Sequence, residues 1–460
     1  MGRTDTRARW RTAAAVLLAA GIVVGPVASP AIADGSIRDD QWHLDAMHAP
    51  EMWKVSQGQG ITVAVIDGGF KLDHPDLVGQ FLPGKDFSGS PGGVGTYGNG
   101  HGTQMAGLIA ATGRANGGKG SSGLAPGVKI LPLKINTGSV GAVVSTDFLG
   151  QIGEAVGYAV AQGAKVVSIS QGINKVTATP GDVAKLSQIL VNARAKGVLV
   201  LAAVGNEAQS GNQIEYPGAL PNVVGVGAVD RNGTVTDESE RGPQVALVAP
   251  GMDTISACTE PSGYCKSHGT SDATALASAS AALVWAVHPE WTANQVLRVL
   301  INTAGRSNGG DGRTDGAGWG AVRPRIALTD PGDPGAADVS PLPADVASPS
   351  VAPSASASAS ASVPASPVPS PTGGVAAPAP SAQPKADASS GSGSALPIVG
   401  GVVAGLALVA GGALFVVRRR KSAVQPGAQV PPVPQQQPMG AVPPPSYQPP
   451  VAPEDNPYAK

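Results

Sequence analysis

The chain of 460 residues contains only two cysteines, Cys258 and Cys265. They stand close together in a Gly/Pro-containing stretch, and in an exported chain that arrangement suits a local disulfide. A metal pair is the alternative, although no His or Cys completes a tetrahedral set unless His268 joins them. An excess of either charge is also missing: 31 Lys and Arg face 32 Asp and Glu, for a net charge of −1. No basic block occurs outside the flanks of two apolar runs, so neither nucleic acid nor an acidic surface is indicated as a partner. No loop of alternating Asp residues of the calcium-binding kind is evident, and no metal or cofactor is expected.

Long apolar runs are confined to the two ends. Arg3, Arg7, Arg9 and Arg11 precede the apolar run Ala13 to Val24 and the small-residue site Ala31-Ile32-Ala33. These read as the parts of a secretory signal over 1–33, with the mature chain starting near Asp34. The alternative is an uncleaved anchor, but the run falls short of the ~20 residues that span a bilayer. Leu396 to Val417 carries no charge and, as a helix at ~1.5 Å per residue, would reach ~33 Å, enough to cross a membrane. Arg418, Arg419, Arg420 and Lys421 follow at once. The positive-inside rule therefore places the tail 418–460 in the cytoplasm and the chain between signal and span outside the cell.

Composition also marks what cannot form a core. Residues 331–395 are nearly all Pro, Ala, Ser and Gly, a disordered linker that in polyproline form at ~3.1 Å per residue could extend to ~200 Å. Val430 to Pro453, rich in Pro and Gln, is expected to be disordered or to serve a Pro-recognising partner.

Between these segments, short apolar runs alternate with amphipathic stretches, the pattern of βαβ units. Strands are expected at Ile61–Ile66, Val128–Ile135, Lys165–Ser170, Val198–Val204, Val223–Val229 and Val245–Val248. Helices are expected at His101–Ala111, Thr146–Gln162, Asp182–Lys196, Ser271–Val287 and Thr292–Ala304. Phe148, Leu149, Ile152, Val156, Ala159 and Val160 recur at helical spacing and define one buried face. The fold class is α/β: a mainly parallel sheet in 61–330 with helices on both faces, large enough for an ample core.

Four positions carry acyl-transfer chemistry, and each has a plain structural alternative. Asp67 ends the first strand before Gly68-Gly69, at the carboxyl edge where open α/β sheets place their sites; alone it could be a turn residue. His101 lies in Gly100-His101-Gly102-Thr103, where small residues let a helix start approach the sheet; alone it could be an idle helix-start histidine. Asn206 follows an apolar strand in Gly205-Asn206-Glu207, where its amide could donate to an oxyanion or merely occupy a turn. Ser271, in Gly269-Thr270-Ser271-Asp272, opens a long Ala-rich helix whose dipole favours developing negative charge; alone, Thr270 or Ser271 is a helix cap. His268 is three residues from Ser271, a loop neighbour rather than the base.

In the order Asp, His, Asn, Ser, these segments resemble the subtilisin-like serine proteases, or subtilases, over about Gln41 to Leu328. Asp40-Gln41-Trp42-His43-Leu44-Asp45-Ala46-Met47 and Met52-Trp53, together with the signal, linker and anchor, resemble the mycosins, membrane-anchored subtilases of actinobacterial type VII secretion. The resemblance implies a secreted serine endopeptidase acting on protein or peptide substrates through an acyl-enzyme, with Asp67, His101 and Ser271 catalytic and Asn206 at the oxyanion. It implies that 34–60 wraps the catalytic domain. Ser170-Gln171-Gly172 would be a substrate-binding wall of the specificity pocket, with a second wall near Asn136 to Ala142. It also implies membrane components of type VII secretion as partners. A structural component of such a complex with little activity is the alternative, motivated by Asp272, a carboxylate beside the nucleophile. Gly68, Asp272 and Ala275 depart from the usual residues of the family at their positions.

Overall fold

The computed structural model describes residues 35–138, 147–306, 312–342 and 457–458. The expected signal, the span 396–417 and nearly all of the linker and tail lie outside them. No helix among the described residues is long and apolar enough to cross a membrane.

The main sheet contains β1 (Thr62–Asp67), β2 (Lys85–Asp86), β3 (Lys129–Lys134), β4 (Val166–Ile169), β6 (Leu199–Ala203), β8 (Val223–Val229) and β9 (Val245–Pro250). Its strand order is β2-β3-β1-β4-β6-β8-β9, and every pairing is parallel. Two antiparallel pairs stand apart: β5 (Ile173–Asn174) with β7 (Glu215–Tyr216), and β10 (Thr254–Ala257) with β11 (Tyr264–Ser267). The helices are α1 (Trp42–Ala46), α2 (Ala49–Met52), α3 (His101–Ala110), the distorted turn α4 (Ala115–Gly118), α5 (Phe148–Ala161), α6 (Pro180–Ala195), α7 (Thr270–Val287), α8 (Ala293–Asn302) and α9 (Pro324–Thr329).

The expected long elements are found within two residues of their expected ends. Their strands are apolar without alternation because both faces are covered. Along β1, Val63 and Val65 enter one core while Ala64 and Ile66 enter the other. The first core is filled by α3 and α7, through Met105, Leu108, Leu276 and Trp285. The second is filled by α5 and α6, through Ile152, Val156, Leu186 and Leu190. Side chains one residue apart on a strand point to opposite faces, so a single apolar run anchors both helix layers.

The stretch from residue 35 onward lies on this body and is tied to it by side chains. Gln41 accepts from Ser122 N at 2.8 Å and donates to Ile255 O at 2.8 Å. The indoles of Trp42 and Trp53 donate to Met252 O and Leu124 O. At the other end, 331–342 is bound where composition alone predicts free linker. Arg298 donates to the carbonyls of Pro334, Ala336 and Val339, and Gln295 to that of Gly335. A Pro/Gly/Ala segment exposes carbonyls with no side chains of its own to cover them, and the guanidinium supplies several donors in one plane.

Candidate active site

The parallel sheet ends its central strands on one edge, and the sequence-predicted residues gather there. Asp67, the last residue of β1, is fully buried. Its Oδ1 accepts from Gly68 N at 2.7 Å and from Gln171 Nε2 at 3.1 Å. His101 begins α3, and its Nδ1 meets Asp67 Oδ2 at 2.8 Å. Gly102 makes this approach feasible: a Cβ there would stand 2.5 Å from Gly69 O and 3.0 Å from Asp67 Cβ. Burial pulls the imidazole pKa down, but the charge and hydrogen bond of Asp67, with a contribution from Asp272, outweigh it, and the net shift is upward. Binding Nδ1 to the carboxylate leaves Nε2 as the nitrogen available for proton transfer.

Ser271 is the second residue of α7, in the first turn, where backbone N–H groups lack helical acceptors. Its Oγ donates to Ser170 O at 3.2 Å, and Ser170 Oγ donates to Ser271 O at 3.1 Å. In this resting arrangement the hydroxyl is engaged with the Ser170 carbonyl rather than with His101. Asn206 is anchored by its oxygen, which accepts from Thr270 N at 2.8 Å and Thr270 Oγ1 at 3.0 Å. That orientation leaves the Asn206 amide nitrogen as a donor beside Ser271.

Residues 58–320 match the Subtilase family of S8 peptidases. The chain belongs to the subtilase family. The major intracellular serine protease of Bacillus subtilis is 36% identical over 52% of this chain and 73% of that protein. Among solved structures, MycP1 from Mycobacterium smegmatis is 25% identical with a TM-score of 0.57, over 66% of this chain and 89% of that one. The MycP3 protease from the type VII (ESX-3) secretion system is 27% identical with a TM-score of 0.56, over 65% of this chain and 90% of that one. This subtilase is a serine endopeptidase with mycosins as structural neighbours.

The subtilase's departure at Asp272 is explained by rotation along the helix. Its side chain is 1% exposed, and Oδ2 accepts from Thr254 Oγ1 at 2.6 Å and from Ser267 Oγ at 2.7 Å. Burial raises its pKa against the pull of those hydroxyls. The carboxylate thus belongs to the β10–β11 hairpin, where Cys258 and Cys265 form a disulfide with Cα atoms 5.8 Å apart. His268 is exposed and pairs with Glu238 at 2.9 Å, away from the hydroxyl of Ser271.

Gln171, expected in the pocket wall, turns its side chain to Asp67. Its Nε2 also stands 3.0 Å from His101 Nδ1, a meeting of two donors when that nitrogen carries its proton, so the bond to Asp67 is the stabilising one. Ser170 exchanges hydrogen bonds with Ser271, and Gly172 precedes β5. Asn136–Gly138 borders a cleft of about 250 Å³ with Gly68, Thr96, Tyr97 and Asn99; residues 139–142 of that expected wall lie outside the described residues. Sequence reasoning missed two acids at the same edge, Glu215 and Glu240, because no local pattern links positions that only the sheet brings together.

Proposed function

We propose that this subtilase is a membrane-tethered extracellular endopeptidase associated with type VII protein secretion, using Asp67, His101, Ser271 and Asn206. The observation that carries the chemistry is the 2.8 Å contact between His101 Nδ1 and Asp67 Oδ2, at the edge where Ser271 opens α7. The Ser271 hydroxyl turns from Ser170 O to His101 Nε2 and gives up its proton as Oγ attacks the scissile carbonyl. Asn206 Nδ2–H and Ser271 N–H receive the oxyanion. His101 then passes the proton to the leaving amine, and water releases the acyl group.

A fluorophosphonate probe on the full chain, with Ser271→Ala as control, tests this. Labelling of wild type alone supports it; absence of labelling in folded protein favours the second reading, a scaffold of the secretion complex. The engagement of Ser271 Oγ with Ser170 O, in place of His101, is what speaks for that alternative.

Support for tethering comes from the apolar run 396–417 and its basic flank, and support for the secretion role from the mycosin neighbours. One described contact opposes a cytoplasmic tail: Tyr458 O lies 3.2 Å from His48 Nε2, in a groove lined by Met47, Arg323 and Ile326. A chain threaded once through a bilayer holds head and tail on opposite sides. A single cysteine introduced at Ala459 decides the topology. Protection from an impermeant reagent in intact cells that is lost when the membrane is permeabilised supports the span; labelling in intact cells, or protection that persists after permeabilisation, opposes it.

A further inference from the structure

Glu207, Glu215 and Glu240 converge beside the nucleophile, and nothing in the hydrolytic mechanism uses them. Glu215 reaches this place through the pairing of Asn174 with Glu215 across β5 and β7, and Glu240 through its N–H bond to Gly205 O at 3.1 Å. A Cβ on Gly205 would stand 2.7 Å from the Glu240 carboxyl carbon and 2.9 Å from that of Glu215. A Cβ on Gly172 would stand 2.5 Å from Glu215 Oε2. The two carboxyl groups therefore occupy the gap between the Ser170–Gly172 segment and the Gly205–Asn206 segment, which only glycine at both borders leaves open.

A second observation points to a ligand. Glu240 is 0% exposed, yet neither of its carboxyl oxygens has a hydrogen-bond partner within ordinary geometry; the Gln213 backbone pulls its pKa down, but by less than burial and the two neighbouring acids raise it. No ion pair among the described residues reaches Glu207, Glu215 or Glu240. Burial, then the charge of Glu207, raises Glu215 to about 7; burial, then Glu215 and Glu207, raises Glu240 to about 8. Buried carboxyl groups without donors are costly and call for a compensating partner.

Geometry identifies the partner. The residue before the scissile bond must hold its carbonyl carbon at Ser271 Oγ and its oxygen at the Asn206 amide. Its side chain then enters between Ser170–Gly172 and Gly205–Asn206, toward the acids. We propose that this enzyme cleaves after arginine or lysine, with Glu215 and Glu240 receiving the cationic side chain and Glu207, exposed at the rim, attracting it. A guanidinium or ammonium brings the donors that the carboxyl groups lack. The inference rests on Ser271 and Asn206 marking the scissile carbonyl, as proposed above.

The test compares peptidyl p-nitroanilides that differ only in the residue before the anilide: Arg, Lys, Phe, Leu or Ala. On the full-length protein, kcat/KM for Arg or Lys is expected to exceed that for Phe and Ala by about a hundredfold. Glu215→Gln and Glu240→Gln should cut the basic substrates by roughly tenfold or more and lower the Arg-to-Ala ratio of kcat/KM by a similar factor. Preference for Phe, Leu or Ala in wild type overturns the inference, as does an equal loss on all substrates in both variants. Should the full chain hydrolyse none of them, the same compounds are titrated calorimetrically, uncleaved, onto Ser271→Ala. Tighter binding of the Arg compound upholds the pocket assignment although hydrolysis fails; equal affinities for Arg and Phe sink it.

Discussion

Asp67 and Glu240 are both fully buried carboxyl groups at the edge of one sheet, yet their surroundings are opposite. Asp67 is met by a backbone N–H, the Gln171 amide and the His101 ring. Glu240 faces Glu215 with no hydrogen-bonding partner. Burial alone therefore does not decide what a carboxyl group does; the donors around it do. A carboxylate with donors can orient a neighbouring imidazole, whereas one without them keeps its proton to higher pH.

The largest expected effect breaks the Asp67 side of this contrast. Asp67→Asn keeps the shape but loses the charge that orients the His101 ring, and kcat should fall by about 10⁴ with little change in melting temperature. Because the His101 pKa is raised above 6.5, the acid limb of the wild-type kcat/KM profile should lie above that value. A variant within tenfold of wild type across the profile would remove Asp67 from the mechanism.

Asn206→Ala comes next. It deletes a donor without touching the acids, and kcat should drop by about 10² to 10³, the loss seen when such a donor is removed from a subtilisin. Pre-steady-state kinetics should show acylation slowed with substrate binding nearly intact.

The Glu240 side is sharpened by stability measured against pH. Its folded pKa of about 8 and that of Glu215, about 7, lie above the ordinary 4.5. The protonated forms are favoured by folding, so their contribution is fully present below pH 4.5 and is lost as pH rises through 7 to 8. Denaturant titrations at pH 5 and pH 9 should show wild type losing on the order of 2 to 4 kcal/mol more than Glu240→Gln over that interval. Parallel losses in the two proteins would mean that Glu240 is ionised at both values.

Asp272 lies between the two cases, buried but met by two hydroxyls. Asp272→Ala strands the hydroxyls of Thr254 and Ser267 and should cost about 1 to 3 kcal/mol of stability. Its carboxylate is committed to the hairpin, so kcat should change by less than about tenfold.

The long strands and helices were legible in the sequence because a doubly covered parallel strand is a short continuous apolar run and a packed helix has an apolar stripe. Gly102 was legible too, as a small residue where the α3 start must approach β1. The short pairs β5–β7 and β10–β11 were not, since two to four residues hold no period to detect. The grip of Arg298 on 334–339 was equally invisible, because low-complexity composition says nothing about a guanidinium elsewhere that can take up its carbonyls.

The amino-acid order by itself determined the α/β class and the two apolar ends, because these follow from local periodicity and composition. It also marked the four residues proposed for acyl transfer, each ambiguous alone, through their joint resemblance to the subtilases. Only the tertiary structure decided that Gln171 turns to the aspartate, that Asp272 is absorbed by two hydroxyls, and that Glu215 and Glu240 meet beside Gly205. Those facts depend on distances between segments far apart in the chain, and such distances come into being only when the sheet and its helices pack.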